Sequence, residues 1–261
     1  MAHRLVKTLA AAIAVTGLSI GAAQAAGGSA KELKDVEFSH SGPFGTYDRH
    51  AVQRGFQVYK EVCSACHGME YVAYRNLTEI GFSEDQVKAI AAEYTVTDGP
   101  NNDGDMFDRP ARPSDKFPSP FPNPQAAAAS NGGVAPPDLS LMTKARPNGD
   151  AYVYSLLTGY GEKDAEGHEL TCPEGTYVNP YFVSGHCIAM APPIDDDLVE
   201  YADGTAATKS QIASDVSAFM AWAAEPKMEE RKQMGVKVIL FLIFLSVLLY
   251  LAKKRIWGRL H

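Results

Sequence analysis

Cys63-Ser64-Ala65-Cys66-His67 is the stretch of this 261-residue chain that decides its fold. Two cysteines separated by two residues and followed directly by histidine form the pattern of c-type haem attachment, in which the thiols add to the porphyrin vinyl groups and the imidazole binds iron. One helical turn sets the sulfurs apart by about the separation of the vinyl groups. The sequence therefore predicts a covalent haem c held by Cys63 and Cys66, with His67 as an axial ligand.

A Cys-x-x-Cys pair also occurs in thioredoxin-like redox centres and in zinc sites. The redox motif belongs beside a βαβ pattern, and none accompanies it here. A zinc site needs a second ligand pair at similar spacing, which Cys172 and Cys187 do not supply. The adjacent His67 favours haem over both alternatives.

Apolar residues at helical spacing predict one helix before the motif and another far downstream. The first covers residues 47–62 and the second covers residues 209–224, where Pro226 then interrupts the pattern. Gly55 would let the two helices approach closely. Pairing of the first helix with the last predicts a mostly α fold, a class I cytochrome c-like head.

The second axial ligand decides between electron transfer and open-site chemistry, because a vacant iron position permits ligand or peroxide reactions. Met190 is the strongest candidate, since two prolines soon after it stiffen the chain and remove backbone donors. His186 is the main competitor because imidazole binds iron more strongly than a thioether does. Met106 and Met142 stay open as further alternatives.

Both ends of the chain predict export and membrane attachment. Residues 1–25 read as a signal peptide, with a basic start, a short apolar run and a small-residue cleavage site. Residues 234–252 are long and apolar enough for one C-terminal transmembrane helix, and the basic tail 253–261 should be cytoplasmic by the positive-inside rule. Residues 26–233 would then form the exported haem domain.

The exported head is strongly acidic, with 17 Lys and Arg against 31 Asp and Glu over residues 26–233, a net charge of −14. This field disfavours nucleic acid and favours a basic partner, whose encounter it would speed in a salt-dependent way. Solubility alone is the alternative explanation. The acidic stretch 98–108 and the prolines after it predict long irregular insertions that form a surface lobe.

Four further residues have chemistry that suits the site. Cys172 and Cys187 are an even pair in an exported chain, and a disulfide between them would restrain the loop before Met190. Two free buried thiols are the alternative. Arg146 and Tyr152 are candidates for holding a haem propionate, since Arg146 offers a charged guanidinium with paired N–H donors and Tyr152 offers a hydroxyl.

The chain closely resembles the cytochrome c1 family in the haem motif and in several blocks that extend over nearly all of the mature protein. The blocks are Val96-Thr97-Asp98-Gly99-Pro100-Asn101, Pro136-Pro137-Asp138-Leu139-Ser140, Ser155-Leu156-Leu157-Thr158-Gly159-Tyr160, Asn179-Pro180-Tyr181-Phe182, Met190-Ala191-Pro192-Pro193 and Trp222-Ala223-Ala224-Glu225-Pro226. The resemblance implies a subunit of the quinol:cytochrome c oxidoreductase (bc1) complex. Such a subunit works beside cytochrome b, receives an electron from the Rieske iron-sulfur protein and passes it to a soluble or tethered cytochrome c.

The resemblance also implies roles for individual residues. His67 and Met190 match the axial ligands, and Asn131, Arg146 and Tyr152 match positions near the haem propionates. An acidic surface that receives a basic cytochrome c is also implied. Its candidate residues here are Glu84, Asp85, Asp103 and Asp105.

The chain departs from the mitochondrial members of that family in two ways. They lack the pair Cys172 and Cys187, and the sequence here has an extra residue before Met190. Together with the bacterial-style signal, these departures suggest a bacterial inner (cell) membrane protein with a periplasmic head. A haem sensor, a peroxidase and a free membrane-anchored electron shuttle are the alternative functions.

Overall fold

The computed structural model describes residues 31–259, so the predicted signal peptide lies outside the described residues. Within that range the regular elements are mostly helical. The α-helices are α1 (Arg49–Glu61), α2 (Glu84–Ala92), α3 (Pro124–Ser130), α4 (Gly149–Thr158), α5 (Lys209–Ala224) and α6 (Met228–Trp257). Two antiparallel hairpins are formed by β1 (Thr95–Asp98) with β2 (Phe107–Pro110) and by β3 (Tyr177–Val178) with β4 (Cys187–Ile188). Short 3-10 helices cover Cys63–Ala65 and Tyr74–Ile80.

The centre of the head is the crossing of α1 and α5, as predicted. A Cβ atom placed on Gly55 would lie 2.0 Å from the carbonyl oxygen of Asp215 and 2.7 Å from the Cβ of Phe219, so only glycine allows this approach. Arg54 extends from the same turn of α1 and donates to both carboxylate oxygens of the buried Asp215 at 2.9 and 3.0 Å. The predicted class I cytochrome c-like pairing of first and last head helices is confirmed.

Local signals explain where these two helices begin and end. The side chain of Asp48 accepts from the backbone N–H of His50 at 2.9 Å and starts α1. The hydroxyl of Thr208 accepts from Gln211 N at 3.2 Å and starts α5. That helix ends at Ala224, before Pro226.

The middle of the chain is a lobe of turns with little regular structure. The predicted acidic stretch 98–108 is the end of β1 and the turn that leads into β2. Arg109 fixes this hairpin to the following loop, because its guanidinium donates to Asp98 and also to Asp115. The irregular insertions of the prediction thus contain one short hairpin.

Helix α6 leaves the head and is long enough to cross a bilayer. The most apolar 18-residue stretch of this 30-residue helix has a mean hydropathy of 2.5. At 1.5 Å per residue the whole helix is about 45 Å long. Met228 at its start is buried in the head, whereas the apolar side chains that follow Met234 are exposed. The helix includes the predicted span 234–252 and continues beyond both of its ends.

Candidate haem-binding site

The haem motif begins two residues after α1 ends. The carbonyl of Cys63 accepts from both Cys66 N at 3.1 Å and His67 N at 2.9 Å, which folds the motif into a tight turn. Cys63 is half-buried and Cys66 is exposed, and neither sulfur forms a disulfide. The turn therefore leaves both thiols available to one ligand.

His67 is oriented by a contact from a distant part of the chain. Its Nδ1 lies 2.7 Å from the carbonyl oxygen of Pro137. Because a carbonyl only accepts, Nδ1 must hold the proton and Nε2 keeps a free lone pair for a metal. Burial lowers the pKa of His67 below its usual value of 6.5, although the Pro137 contact opposes this shift, so the neutral ring required of an iron ligand is favoured.

Asp138 holds that orienting carbonyl in place. Its carboxylate accepts from Glu70 N at 2.9 Å through one oxygen and from Ser140 N at 2.8 Å through the other. Leu139 N also donates to the carbonyl of Gly68 at 2.9 Å. This role of Asp138 was not predicted from the sequence, where its position directly after two prolines was the available signal.

The thiol chemistry argues against a thioredoxin-like centre. Such a centre needs a cysteine with a lowered pKa. Burial, with a contribution from the neighbouring Cys66, instead raises the pKa of the Cys63 thiol to about 12. A thiol of this kind is unsuited to disulfide exchange.

Met190 lies two residues after β4, half-buried against the main hydrophobic core. The hydroxyl of Tyr160 donates to its backbone carbonyl at 3.0 Å and fixes the segment. His186, the competing ligand, is exposed, and Met106 is 60% exposed in the turn between β1 and β2. Met142 is partly buried against the core, so burial alone does not separate it from Met190.

The structure joins Cys172 and Cys187 in a disulfide. Cys187 is the first residue of β4, and Met190 follows three residues later. The cross-link therefore restrains the start of the segment that leads to Met190.

The residues expected near the propionates lie on three segments. Tyr152 is buried in α4. Asn131 directly follows α3, and its Nδ2 donates to Ala127 O at 2.7 Å, which leaves Oδ1 free of that bond. Arg146 donates through Nη1 to Ala145 O at 2.9 Å. Its Nε is buried without a partner among the described residues, as expected of a donor that awaits an anionic group.

The donor set fits a covalently attached haem. Two unbonded thiols, a free imidazole Nε2 and an orphaned guanidinium N–H correspond to the vinyl groups, the iron and a propionate of that group.

The acidic residues proposed for docking are all exposed, but they lie on two separate segments. Glu84 and Asp85 occupy the first turn of α2, where their charges complement the helix dipole and Asp85 pairs with Lys88 at 3.2 Å. Asp103 and Asp105 lie on the turn between β1 and β2. The first pair therefore has a structural role of its own.

Comparison with known proteins agrees with this geometry. Residues 38–260 match the Cytochrome C1 family. Cytochrome c1 of Rhodospirillum rubrum is 51% identical over 253 residues, covering 92% of this chain and 93% of the relative. Cytochrome b/c1 of Bradyrhizobium diazoefficiens is 50% identical over 86% of this chain and 35% of the relative. A mitochondrial cytochrome c1 heme protein of Arabidopsis thaliana is 48% identical over 83% of this chain and 69% of the relative. The chain therefore belongs to the cytochrome c1 family.

Proposed function

We propose that this protein is the haem c subunit of a membrane quinol:cytochrome c oxidoreductase (bc1) complex, accepting electrons from a Rieske iron-sulfur protein and donating them to a cytochrome c. The observation that supports this most directly is the oriented, neutral His67 beside two unbonded thiols in a chain of the cytochrome c1 family. Haem c, when bound, supplies the one-electron redox change.

Each site residue has a binding or positioning role and none acts as an acid, base or nucleophile. Cys63 and Cys66 attach the group, and His67 and Met190 provide the axial ligands. Arg146 balances a propionate charge, with Asn131 and Tyr152 as further polar partners. The disulfide of Cys172 and Cys187 restrains the segment before Met190.

Three features support the membrane setting and the partners. Helix α6 is of spanning length and its C-terminal end is basic, which favours a single pass with the head in the periplasm of a bacterial cell. A relative whose name joins cytochrome b and cytochrome c1 supports cytochrome b as a neighbour in the complex. The acidic head suits a basic cytochrome c as acceptor.

The optical spectrum of the oxidised protein tests the ligand assignment. Ferric haem with Met ligation has a weak charge-transfer band at the red edge, so we expect this band in the parent and its loss in Met190→Leu. The matched control is Met142→Leu, another methionine partly buried against the core, which should keep the band. A parent without the band, or a Met190→Leu protein that retains it, would refute Met190 and return His186 or an open site to consideration.

Purification in mild detergent tests membership of the complex. We expect the full-length protein to co-purify from its membranes with a b-type cytochrome and an iron-sulfur protein. If it is recovered alone while its haem spectrum is intact, it is a free electron shuttle.

A further inference from the structure

A tight turn at residues 41–45 presents an aromatic side chain to solvent beside the base of α6. Phe44 is 80% exposed, and Pro43 next to it is also exposed. Among residues 31–259 no contact explains an apolar tip at this place. We refer to this segment as the 41–45 turn.

The 41–45 turn is held in a defined shape. Ser41 N donates to Phe38 O at 2.9 Å, and Thr46 N donates to Ser39 O at 3.1 Å. A Cβ on Gly45 would lie 2.1 Å from the carbonyl oxygen of Ser41, so the turn closes too tightly for any other residue. The exposure of Phe44 is thus a property of an ordered turn.

Helix α6 itself fixes the position of the turn. Lys232, in the second turn of α6, donates through Nζ to His40 O at 2.6 Å and to Gly45 O at 3.0 Å. Just beside it, the carboxylate of Glu229 accepts from Tyr47 N at 2.8 Å and pairs with Arg49 at 3.0 Å. Both ends of the turn are therefore attached to the base of the helix.

This attachment sets the height of the turn relative to a bilayer. The exposed apolar surface of α6 begins at Met234, two residues after Lys232, which is about 3 Å along the axis. The hydrogen bonds from Lys232 Nζ therefore hold His40 and Gly45 within one lysine side-chain length of α6, at the end of the helix where that apolar surface begins. The headgroup layer on each side of the hydrocarbon core is roughly 5–7 Å thick. A turn held at this end of α6 is therefore beside the headgroup layer that the helix would enter.

We propose that the tip formed by Pro43 and Phe44 inserts into the headgroup layer of the bilayer that α6 spans. This contact gives the head a second attachment to the lipid surface and fixes its tilt about the helix. Lipid is the occupant because the turn is attached to α6 through Lys232, two residues before the exposed apolar surface of that helix begins. The inference rests on the membrane anchoring included in the proposed function.

The test uses full-length, haem-loaded protein in lipid nanodiscs, with one introduced cysteine labelled by an environment-sensitive fluorophore. The chain has four cysteines, two assigned to haem and two joined in a disulfide, so an introduced cysteine is the single free thiol. The nanodiscs contain lipid with a nitroxide quencher either on the headgroup or at the end of an acyl chain. Comparison with quencher-free nanodiscs cancels the quenching by haem.

Phe44→Cys is the probe, and two other positions are the controls. Met106→Cys places the label on another exposed apolar side chain, in the turn between β1 and β2. This hairpin begins two residues after Glu93. Glu93 pairs with Lys60 at the end of α1 opposite the anchor, about 20 Å from the start of that helix. Ser246→Cys places the label in the middle of the apolar part of α6 and reports the anchor by itself.

We expect headgroup quenchers to lower emission at position 44 by roughly twofold, because that layer lies at the height of the turn, and to leave position 106 unchanged. The acyl-end quencher should act on position 246.

If position 44 behaves like position 106 while position 246 is quenched, the inference is wrong and the anchor stands. If position 246 is also unquenched, the anchor itself fails. A label at 44 that is shielded from water yet unaffected by either quencher would indicate a protein cover and also overturn the proposal. Pro43→Cys, at the same tip, replaces Phe44→Cys if the latter loses its haem spectrum.

Discussion

Among single residues, Asp138 is the clearest case of a side chain that acts on the site through another residue. Its carboxylate fixes the segment that presents the Pro137 carbonyl to His67 Nδ1. It also places a negative charge near the imidazole. Both effects favour the ferric state of an iron bound at Nε2, because they add electron density to the ligand.

We therefore expect Asp138→Asn to raise the midpoint potential by roughly 20–60 mV, since 59 mV corresponds to a tenfold change for one electron. The amide keeps one acceptor oxygen but turns its NH2 toward a backbone N–H, so the orienting loop should also loosen. Redox titration measures the potential, and the ferric EPR spectrum reports the ligand field.

The control for this variant is Asp108→Asn, which removes an acidic group that accepts from the Thr97 hydroxyl at 2.8 Å on the hairpin. It should leave the potential unchanged. An unaltered potential in Asp138→Asn, with an unaltered EPR spectrum, would show that the carboxylate is only a structural support.

The sequence was informative at this scale where the chemistry is local. Cys63, Cys66 and His67 could be proposed as haem-binding residues because attachment to one porphyrin fixes their spacing within five residues. Asp138 could not be assigned from spacing, because its partner Glu70 lies 68 residues away. A role that depends on which loop meets which is set by the tertiary fold.

At the scale of elements, the crossing of α1 and α5 depends on Gly55. The carbonyl of Asp215 and the Cβ of Phe219 occupy the space that a methyl group would need. Gly55→Ala must separate the helices or distort them, and overpacking of this kind costs about 1–3 kcal/mol or more. We expect a lower midpoint temperature of thermal unfolding. The haem Soret band of the protein in detergent measures this unfolding.

Gly235→Ala is the matched control for this substitution. Gly235 lies in α6, and a Cβ there meets nothing within 4 Å. Alanine should be neutral or slightly stabilising, because it forms helix better than glycine. Equal effects of the two substitutions would show that the close crossing is unimportant.

A second prediction at this scale concerns how the first described segment joins the head. Burial opposes ionisation of Glu162, but hydrogen bonds from Lys34, Lys31 and Tyr181 outweigh it and lower the pKa of Glu162 from 4.5 to about 2. The folded state therefore binds the proton less readily than the unfolded state. The resulting stabilisation is complete above the unfolded pKa of 4.5 and is lost as the pH falls toward 2.

We expect the difference in unfolding free energy between the parent and Glu162→Gln to be about 1–2 kcal/mol at neutral pH after allowance for solvent screening. It should shrink as the pH falls below 4.5. Denaturant unfolding at several pH values measures it. Glu169→Gln removes an exposed glutamate that pairs with Lys163 and should show no such trend. A difference that is constant over the whole pH range would contradict the assignment.

Element prediction succeeded for the long helices α1 and α5 and missed several short elements. The helix predicted at 209–224 is α5, and the helix predicted at 47–62 is one to two residues longer at each end than α1. Helix α2 was missed because only Val87 and Ala91 on its short length are buried, too few for a clear period. The two-residue strands β3 and β4 depend on a pairing that no local pattern indicates.

At the scale of the whole molecule, charge separates the head from its anchor. The head has a net charge of −14 over residues 26–233, whereas residues 253–261, which include the last turn of α6, have only basic charges. A field of this size steers a basic partner toward the head before any specific contact forms. Which exposed acidic residues dominate the encounter is a question of local placement.

The turn between β1 and β2 is where we expect that placement to matter, because Asp103 and Asp105 are exposed on it, whereas Asp85 already pairs with Lys88. Asp103→Asn with Asp105→Asn should lower the rate constant of electron transfer to a basic cytochrome c by roughly 3–10-fold at low ionic strength. The parent and variant rates should converge toward 1 M salt, where the Debye length is only about 3 Å. Stopped-flow kinetics over a salt series measures both effects. The matched control, Glu166→Gln with Glu174→Gln, removes the same charge from exposed positions on another segment. If the control pair lowers the rate equally, the acceptor responds to the total charge of the head and this turn is not its docking site.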